Sequence, residues 1–439
     1  MKQPSQVDRE SGWLDSAPGW IVAALVVSAP VFMSPAGKDL FRLPKELLLR
    51  AGWIALVAVL VAAAVARIRA FPFENLRSPA VAIALAAVAW TTVATLASSN
   101  RDLSAGSLAF VAGAAVFFIA SLEFARRASL KAAALVLIPA IMNALVAGIQ
   151  EWTDWKPIAL EELDFDRHLM TTGLMGNPND VGTLLMGPIL LAWAGAIATR
   201  GRPRFMFAAT SVVLIAGLLA SRTLTAILAT AVGILVMSAI LSWKKAVAGA
   251  LAIAVAGALL VAFYPPLTER SRQLRTLIER KDYNAVLTNR LTSFFAATEM
   301  AKQHPIAGIG PGTFGWHYFE YRLLVEEKRP ELGESRRGAQ WNYNFGEVHN
   351  DHLEIAAEAG VPAWLLYIAA LGVLASTSLR RGAVSAGPRG EIARLLAMPL
   401  AAGFFVLTLA QFPLQLAATV TTYLFLAALC FSWRHADER

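Results

Sequence analysis

The feature that most constrains this chain is a series of apolar runs, each about as long as a bilayer core is thick. A helix needs roughly 20 predominantly apolar residues to cross a membrane. Runs of this kind occupy 19–35, 47–66, 79–98, 104–124, 130–150, 181–198, 204–220, 223–241, 246–263, 352–378, 393–412 and 414–433. They predict about twelve transmembrane helices, and the strand signal is poor throughout. Apolar residues make up 56% of the 439 positions and charged residues only 16%, a balance that excludes a water-soluble enzyme and a disordered chain. The expected fold is an all-α polytopic membrane protein. The first run is interrupted by Pro30, and residues 1–18 are too long and too mixed in charge for a cleaved signal peptide.

The charges then orient the spans. Net charge is +8, which in a soluble chain would point to nucleic acid; in a membrane chain it is the mark of cytoplasmic loops. No nucleic-acid partner is expected. Short connections carrying Arg67, Arg69 and Arg77; Arg126, Arg127 and Lys131; Arg200, Arg202 and Arg204; Lys244 and Lys245; and Arg380, Arg381, Arg389 and Arg394 all fall on one side. That side is cytoplasmic and holds both termini. The other side receives 36–46, 99–103, 151–180, the turn at Ser221-Arg222 and the stretch 264–351. The last is too long for a plain connection. It carries amphipathic helical patterning, as from Thr292 to Lys302. The chain thus divides into 1–263 with about nine spans, a helical cap loop at 264–351, and 352–439 with about three spans.

Basic residues on the outer side break the orientation rule and are therefore informative. Lys38, Arg42 and Lys45 lie in the first outer loop, Arg101 in the second, and Arg290 at the start of the amphipathic cap helix. Arg222 is the only charged residue between Arg204 and Lys244. A lone charge between apolar spans is costly and marks function by default. The guanidinium fork matches phosphate oxygens in a bidentate way, so Arg222 and Arg290 suit a lipid-linked phosphate or pyrophosphate.

The segment Glu347-Val348-His349-Asn350-Asp351-His352-Leu353-Glu354 lies where the cap returns to the membrane. Asp351 and Glu354 have the spacing of a capping box. His349 precedes that cap and suits a general base. A rival reading gives His349, His352 and Glu354 or Glu358 to a metal, but the spacing is not HExxH, and no metal or other cofactor is expected. Asp164-Phe165-Asp166 forms a D-x-D in an acidic loop, more simply read as solvated. The run Gly173 to Asp180 predicts a turn and a helix start, with Asn177 and Asn179 placed to bind a ligand. Gly308-Ile309-Gly310-Pro311-Gly312 looks like a phosphate loop, but it follows a helix, so a packed turn is expected.

Three segments together resemble one family. Gly173 to Asn179 (GLMGNPN), Ser221-Arg222 at the head of a span, and His349-Asn350 followed by Leu353, Glu358 and Gly360 are similar to the O-antigen ligase and polymerase superfamily. The cap stretch from Arg290 through Pro305 to Phe314 is similar as well. The resemblance implies a GT-C-like, inverting, metal-independent glycosyltransferase of the Gram-negative inner membrane, with a long periplasmic helical loop and a periplasmic active site. An O-antigen ligase transfers a finished glycan from undecaprenyl pyrophosphate to the lipid A–core oligosaccharide. Carried over by position, the essential histidine and two arginines are His349, Arg222 and Arg290. Arg42, Lys45, Arg101, Asn177, Asn179 and Asn350 are the expected substrate-binding residues.

Two alternatives stand beside the ligase. Within the superfamily the rival is a polymerase or a protein-glycosylating transferase; polymerases carry paired outer arginine motifs, and Arg322 and Gly338 have a polymerase-like spacing. A transporter of anions or lipid-linked sugars would place ionisable groups near mid-membrane. Here Glu123 and Arg50 sit near span ends.

Overall fold

The computed structural model describes residues 6–35, 39–66, 78–155, 171–332, 345–379 and 387–434, with side chains from residue 16 onward. Every regular element among them is helical. In order they are α1 (Gln6–Ser28), α2 (Arg42–Val65), α3 (Pro79–Ala97), α4 (Arg101–Arg127), α5 (Ala133–Trp152), α6 (Pro178–Ala198), α7 (Gly201–Ser221), α8 (Leu224–Leu241) and α9 (Trp243–Phe263). The cap follows as α10 (Pro265–Glu279), α11 (Tyr283–Val286), α12 (Leu291–Gln303) and α13 (Phe314–Lys328). Then come α14 (Asp351–Leu379), α15 (Pro388–Leu407) and α16 (Ala417–Trp433). Ten of these helices are long and apolar enough to cross a membrane. The apolar part of α1 and the whole of α16 are shorter, which accounts for the twelve runs in the sequence.

The bundle is organised around α6. Its side chains from Val181 to Leu191 are buried almost without interruption, against α5, α7, α8, α15 and α16. Tyr423 on α16 donates its hydroxyl to the Thr183 carbonyl at 2.6 Å and accepts from the Gly187 amide at 3.3 Å. A peripheral helix such as α9, with no buried residue, satisfies its backbone internally and turns its apolar side chains outward, as lipid requires.

Two spans differ from expectation, and both differences come from proline and polar residues. The first helix stops at Ser28, ahead of Pro30, whose carbonyl instead accepts the Asn143 side chain at 3.1 Å. The span expected at 393–412 is helical only to Leu407. Residues 408–416 leave the helix, with one tight turn at Pro413–Gln415. Proline at 413 removes a donor and disfavours a helical residue before it. Such backbone is tolerated at membrane depth only where protein or a cavity satisfies it. Here Asp351 donates its amide to the Thr408 carbonyl at 3.0 Å and accepts the Leu414 amide at 3.1 Å. Asn350 and Arg290 donate to the carbonyls of Leu409 and Ala410 at 2.8 and 3.0 Å.

The cap has its own apolar core, built from Ala296, Met300, Phe314, Tyr318, Tyr321 and Val348, which continues onto Ala357 of α14. The junction is locked at Gly360, where α14 kinks (φ 80°, ψ 172°). A Cβ there would lie 1.8 Å from the Ile306 carbonyl oxygen, so only glycine fits. Val361 donates across the kink to Pro305 at 2.8 Å.

Candidate active site

Five stretches of chain converge at the cap side of the bundle. They are the start of α2, the turn leading into α6, the start of α12, the stretch before α14 and the non-helical segment after α15. Between them lies a cavity of about 440 Å³ lined by Arg42, Asn177, Asn179, Asp180, Arg290, His349, Gln411 and Phe412, among others.

Local sequence explains each placement. Asp39 caps α2, its carboxylate accepting the amides of Phe41, Arg42 and Leu43 at 2.9 Å each, so Arg42 is fixed at the first turn. Asn177 caps α6 and accepts the Asn179 amide at 2.8 Å, with Pro178 at the first helical position. The turn before it is pinned from three directions. Asn143 accepts the Leu174 amide at 3.0 Å, Gln150 accepts the Gly173 amide at 2.8 Å, and Lys45 donates to the Leu174 carbonyl at 2.8 Å. Lys45 also donates to the Phe32 carbonyl at 2.6 Å and is 3% exposed. Its ammonium therefore holds the wall together instead of facing the cavity.

His349 sits in the left-handed region (φ 61°), which non-glycine residues seldom occupy and which here is imposed by the surroundings. Its ring meets Phe345 and Phe412 edge-on at centroid distances of 5.7 and 4.6 Å. Its Nδ1 is buried and makes no hydrogen bond. Burial first, then the charges of Arg290 and Arg42, pushes the imidazole down to about 3, so the ring is neutral at neutral pH. Burial also pulls the Arg290 guanidinium below its ordinary value, against the opposing pull of Asp180. It stays charged, as an arginine does. Arg42 is paired with Glu347 at 2.5 Å and lies 5.9 Å from the Phe412 ring centre.

The other expected residues stand elsewhere. Arg222 caps α7 in the left-handed conformation (φ 51°) and pairs with Glu151, whose second oxygen accepts from Thr171 at 3.0 Å. Its Nε is buried without a partner. The neighbouring Thr223 donates to the Pro178 carbonyl at 2.9 Å. Arg222 thus braces the turn before α6, and the cation that lines the cavity with Arg290 is Arg42. Arg101 is exposed at the start of α4 and does not line the cavity. Asn350, not Asp351, caps α14: it accepts the Leu353 amide at 3.0 Å while its amide group holds Leu409. Glu354 reaches back to the Val348 amide at 3.0 Å.

The metal alternative loses its ligands to packing. His352 is buried and contacts the Phe405 carbonyl, Thr408 and Trp364. Among the described residues no group of three His, Cys, Asp or Glu side chains is placed to hold a metal ion. Asp164, Asp166, Lys38 and Gly338 lie outside the described residues. Arg322 is buried in the cap, beside Glu326 and over the Phe319 ring. The glycine-rich loop does cradle an anion, and that anion belongs to the chain: Glu358 accepts the amides of Gly312 and Phe314 at 2.8 and 2.9 Å.

Four contributors to the site were missed from the sequence. The sequence pattern assigns no site role to Asp180 or to Glu347. Gln411 and Phe412 lay hidden in an apparent span. Gln411, two residues before Pro413 inside an apolar run, was the available signal.

Residues 209–368 match the family model described as O-Antigen ligase. Over those residues the chain is similar to the O-antigen ligase superfamily. The matched segment runs from within α7 through the cap into α14 and includes Arg222, Arg290 and His349. It implies a glycosyltransferase-like enzyme of the ligase and polymerase group, acting on lipid-linked polysaccharide. No curated protein matches the chain.

A second, larger cleft of about 560 Å³ adjoins the first through Arg42, which lines both. Its walls are apolar side chains of α3, α4, α14, α15 and α16, including Phe110, Phe118, Leu371 and Phe404. At one end Arg50 pairs with Glu46 at 2.8 Å.

Proposed function

We propose that the protein is an O-antigen ligase, transferring glycan from undecaprenyl pyrophosphate to a sugar hydroxyl of the lipid A–core oligosaccharide. The observation that carries this reading is the joint position of Arg42, at the boundary between a polar cavity and an apolar cleft. A donor with a pyrophosphate head and a polyprenyl tail needs that pairing. The tail takes the cleft, and the head enters the cavity between Arg42 and Arg290. In this proposal residues 1–263 and 352–439 span the inner membrane, residues 264–351 form a periplasmic cap, and both termini are cytoplasmic.

The chemistry follows from the groups present. The acceptor hydroxyl attacks the anomeric carbon from the face opposite the pyrophosphate, which inverts the configuration. Negative charge grows on the departing pyrophosphate, and the preorganised guanidinium groups stabilise it. The neutral ring of His349 orients the acceptor by hydrogen bonding. Arg222 holds the turn into α6 through Glu151 and so keeps Asn177 and Asn179 in the wall.

A lipopolysaccharide gel from a deletion strain tests the reading. Glycan left on its lipid carrier, together with bare core, is the expected outcome. Core bearing a single repeat unit would make the protein a polymerase, and unchanged lipopolysaccharide would exclude both.

A further inference from the structure

Three side chains of the cavity, two guanidinium groups and one imidazole, all touch one short run of chain. Arg290 donates to the Ala410 carbonyl at 3.0 Å. The His349 ring lies edge-on to Phe412 at 4.6 Å between centroids, and the Arg42 guanidinium stands 5.9 Å from the same ring. Gln411 lies between Ala410 and Phe412 and itself lines the cavity. The run is fixed from both sides: Asn350 holds the neighbouring Leu409 carbonyl at 2.8 Å, and the Gln411 backbone amide donates to Leu407 at 3.0 Å.

Gln411 falls in the apolar run 393–412, where a polar side chain is costly and marks function. Two other buried amides show what packing does with such a group. Asn143 and Gln150 pin the turn before α6, accepting the Leu174 and Gly173 amides at 3.0 and 2.8 Å, and neither lines the cavity. Gln411, 3% exposed, is the buried amide that the non-helical segment delivers to the cavity wall. A neutral amide adds nothing to the charge that a pyrophosphate needs. It presents one acceptor oxygen and two donor hydrogens, which match adjacent sugar hydroxyls, each able to give and to receive. A few such groups placed in a pocket fix orientation and specificity.

We propose that Gln411 forms a sugar subsite of the cavity, its side-chain amide bonding the hydroxyls of a sugar ring held between Arg42, Arg290 and His349. That ring belongs either to the donor sugar next to the pyrophosphate or to the acceptor sugar. The two offer the same hydroxyl chemistry, and the experiment below separates them. Ala410 and Phe412 tie this contact to Arg290, His349 and Arg42. A sugar whose hydroxyls fit the amide is thereby held in register with those groups, and one that misfits is not. Gln411 is a specificity-determining residue, with no part in proton transfer or in stabilising the leaving group.

This inference rests on the transfer reaction proposed above, and its test separates the two. Donor glycolipid and bare core are isolated from the deletion strain, and purified full-length protein in lipid nanodiscs is assayed with each varied in turn. Binding of undecaprenyl pyrophosphate, which carries no sugar, is measured separately. Gln411→Leu keeps a similar volume and removes the hydrogen bonds. It is expected to bind undecaprenyl pyrophosphate as the unmodified protein does, while the KM for one glycan substrate rises about 5–150-fold. A rise in the acceptor KM places the amide on the acceptor sugar, and a rise in the donor KM places it on the first donor sugar. Gln411→Asn keeps an amide one methylene short and should show a smaller rise in the same KM; it decides the matter if the leucine variant lowers the thermal midpoint. Unchanged KM for both substrates, or weaker binding of undecaprenyl pyrophosphate in step with KM, overturns the subsite while leaving the ligase reading intact. Absence of transfer by the unmodified protein overturns both.

Discussion

The junction around Glu358 and the cavity around Asp180 each place a carboxylate at the cap side of the bundle, and they treat it in opposite ways. Glu358 is enclosed by the glycine-rich loop, and both of its oxygens accept backbone amides. Asp180 lines open space and accepts nothing among the described residues. The first carboxylate is a rivet between the cap and α14. The second lines the cavity together with Arg42 and Arg290. Residue type alone would not separate them; hydrogen-bond accounting does.

The largest expected effect tests the cavity side of this contrast. Arg290→Ala removes a preorganised guanidinium, and loss of one such donor costs about 10²–10³-fold in kcat. Transfer kinetics at saturating donor measure it. A change confined to KM would mean that Arg290 binds the ground state only, and the cavity would then be a docking site and not a reaction site.

A smaller effect is expected on the structural side. Glu358→Ala leaves the Gly312 and Phe314 amides without acceptors, and each orphaned group costs about 1–3 kcal/mol. The thermal midpoint in detergent should fall, while protein that remains folded keeps its kcat. Loss of kcat with an unchanged midpoint would break the contrast. Glu358→Gln should lose less, since its amide oxygen still accepts one hydrogen bond.

The smallest effect concerns pH. The folded pocket holds His349 down to about 3, below its ordinary value near 6.5. Between these values the unfolded chain binds a proton that the folded chain refuses, so stability rises with rising pH. The contribution is complete above about 6.5 and is lost as pH drops toward 3. Comparing thermal midpoints at about pH 7.5 and about pH 5, His349→Gln should be less sensitive than the unmodified protein. Equal sensitivity would mean that the imidazole is more solvated than its two phenylalanine neighbours imply.

Much of the scaffold was legible because lipid leaves few options. The runs at 79–98 and 352–378 became Pro79–Ala97 and Asp351–Leu379. Hydropathy failed after Leu407 because it registers apolarity and not backbone pairing. Thr408 to Leu416 is held by Arg290, Asn350 and Asp351 through bonds that span 57 or more positions of the chain. The cavity was half legible for a related reason. Outer-face cations stand out against the orientation rule, which made Arg42 and Arg290 visible. An acid at that position breaks no rule, so Asp180 does not stand out in the sequence. Whether a basic residue meets a cavity or a carboxylate cannot be read from composition: in the structure Arg222 meets Glu151, and Lys45 meets the carbonyls of Phe32 and Leu174.

The cavity draws its walls from widely separated parts of the chain. Arg290 and His349 fall inside the segment that matches the superfamily, whereas Arg42, Asn177, Asn179 and Asp180 precede it and Gln411 and Phe412 follow it. Transplanting residues 209–368 between two such proteins would therefore move a fragment of a pocket and leave its complement behind. Selection for a different sugar or acceptor can act on the flanking walls without altering the stretch by which kinship is detected. Two chains alike in that stretch need not share a substrate, and a specificity survey of such proteins should begin at the first turns of α2 and α6.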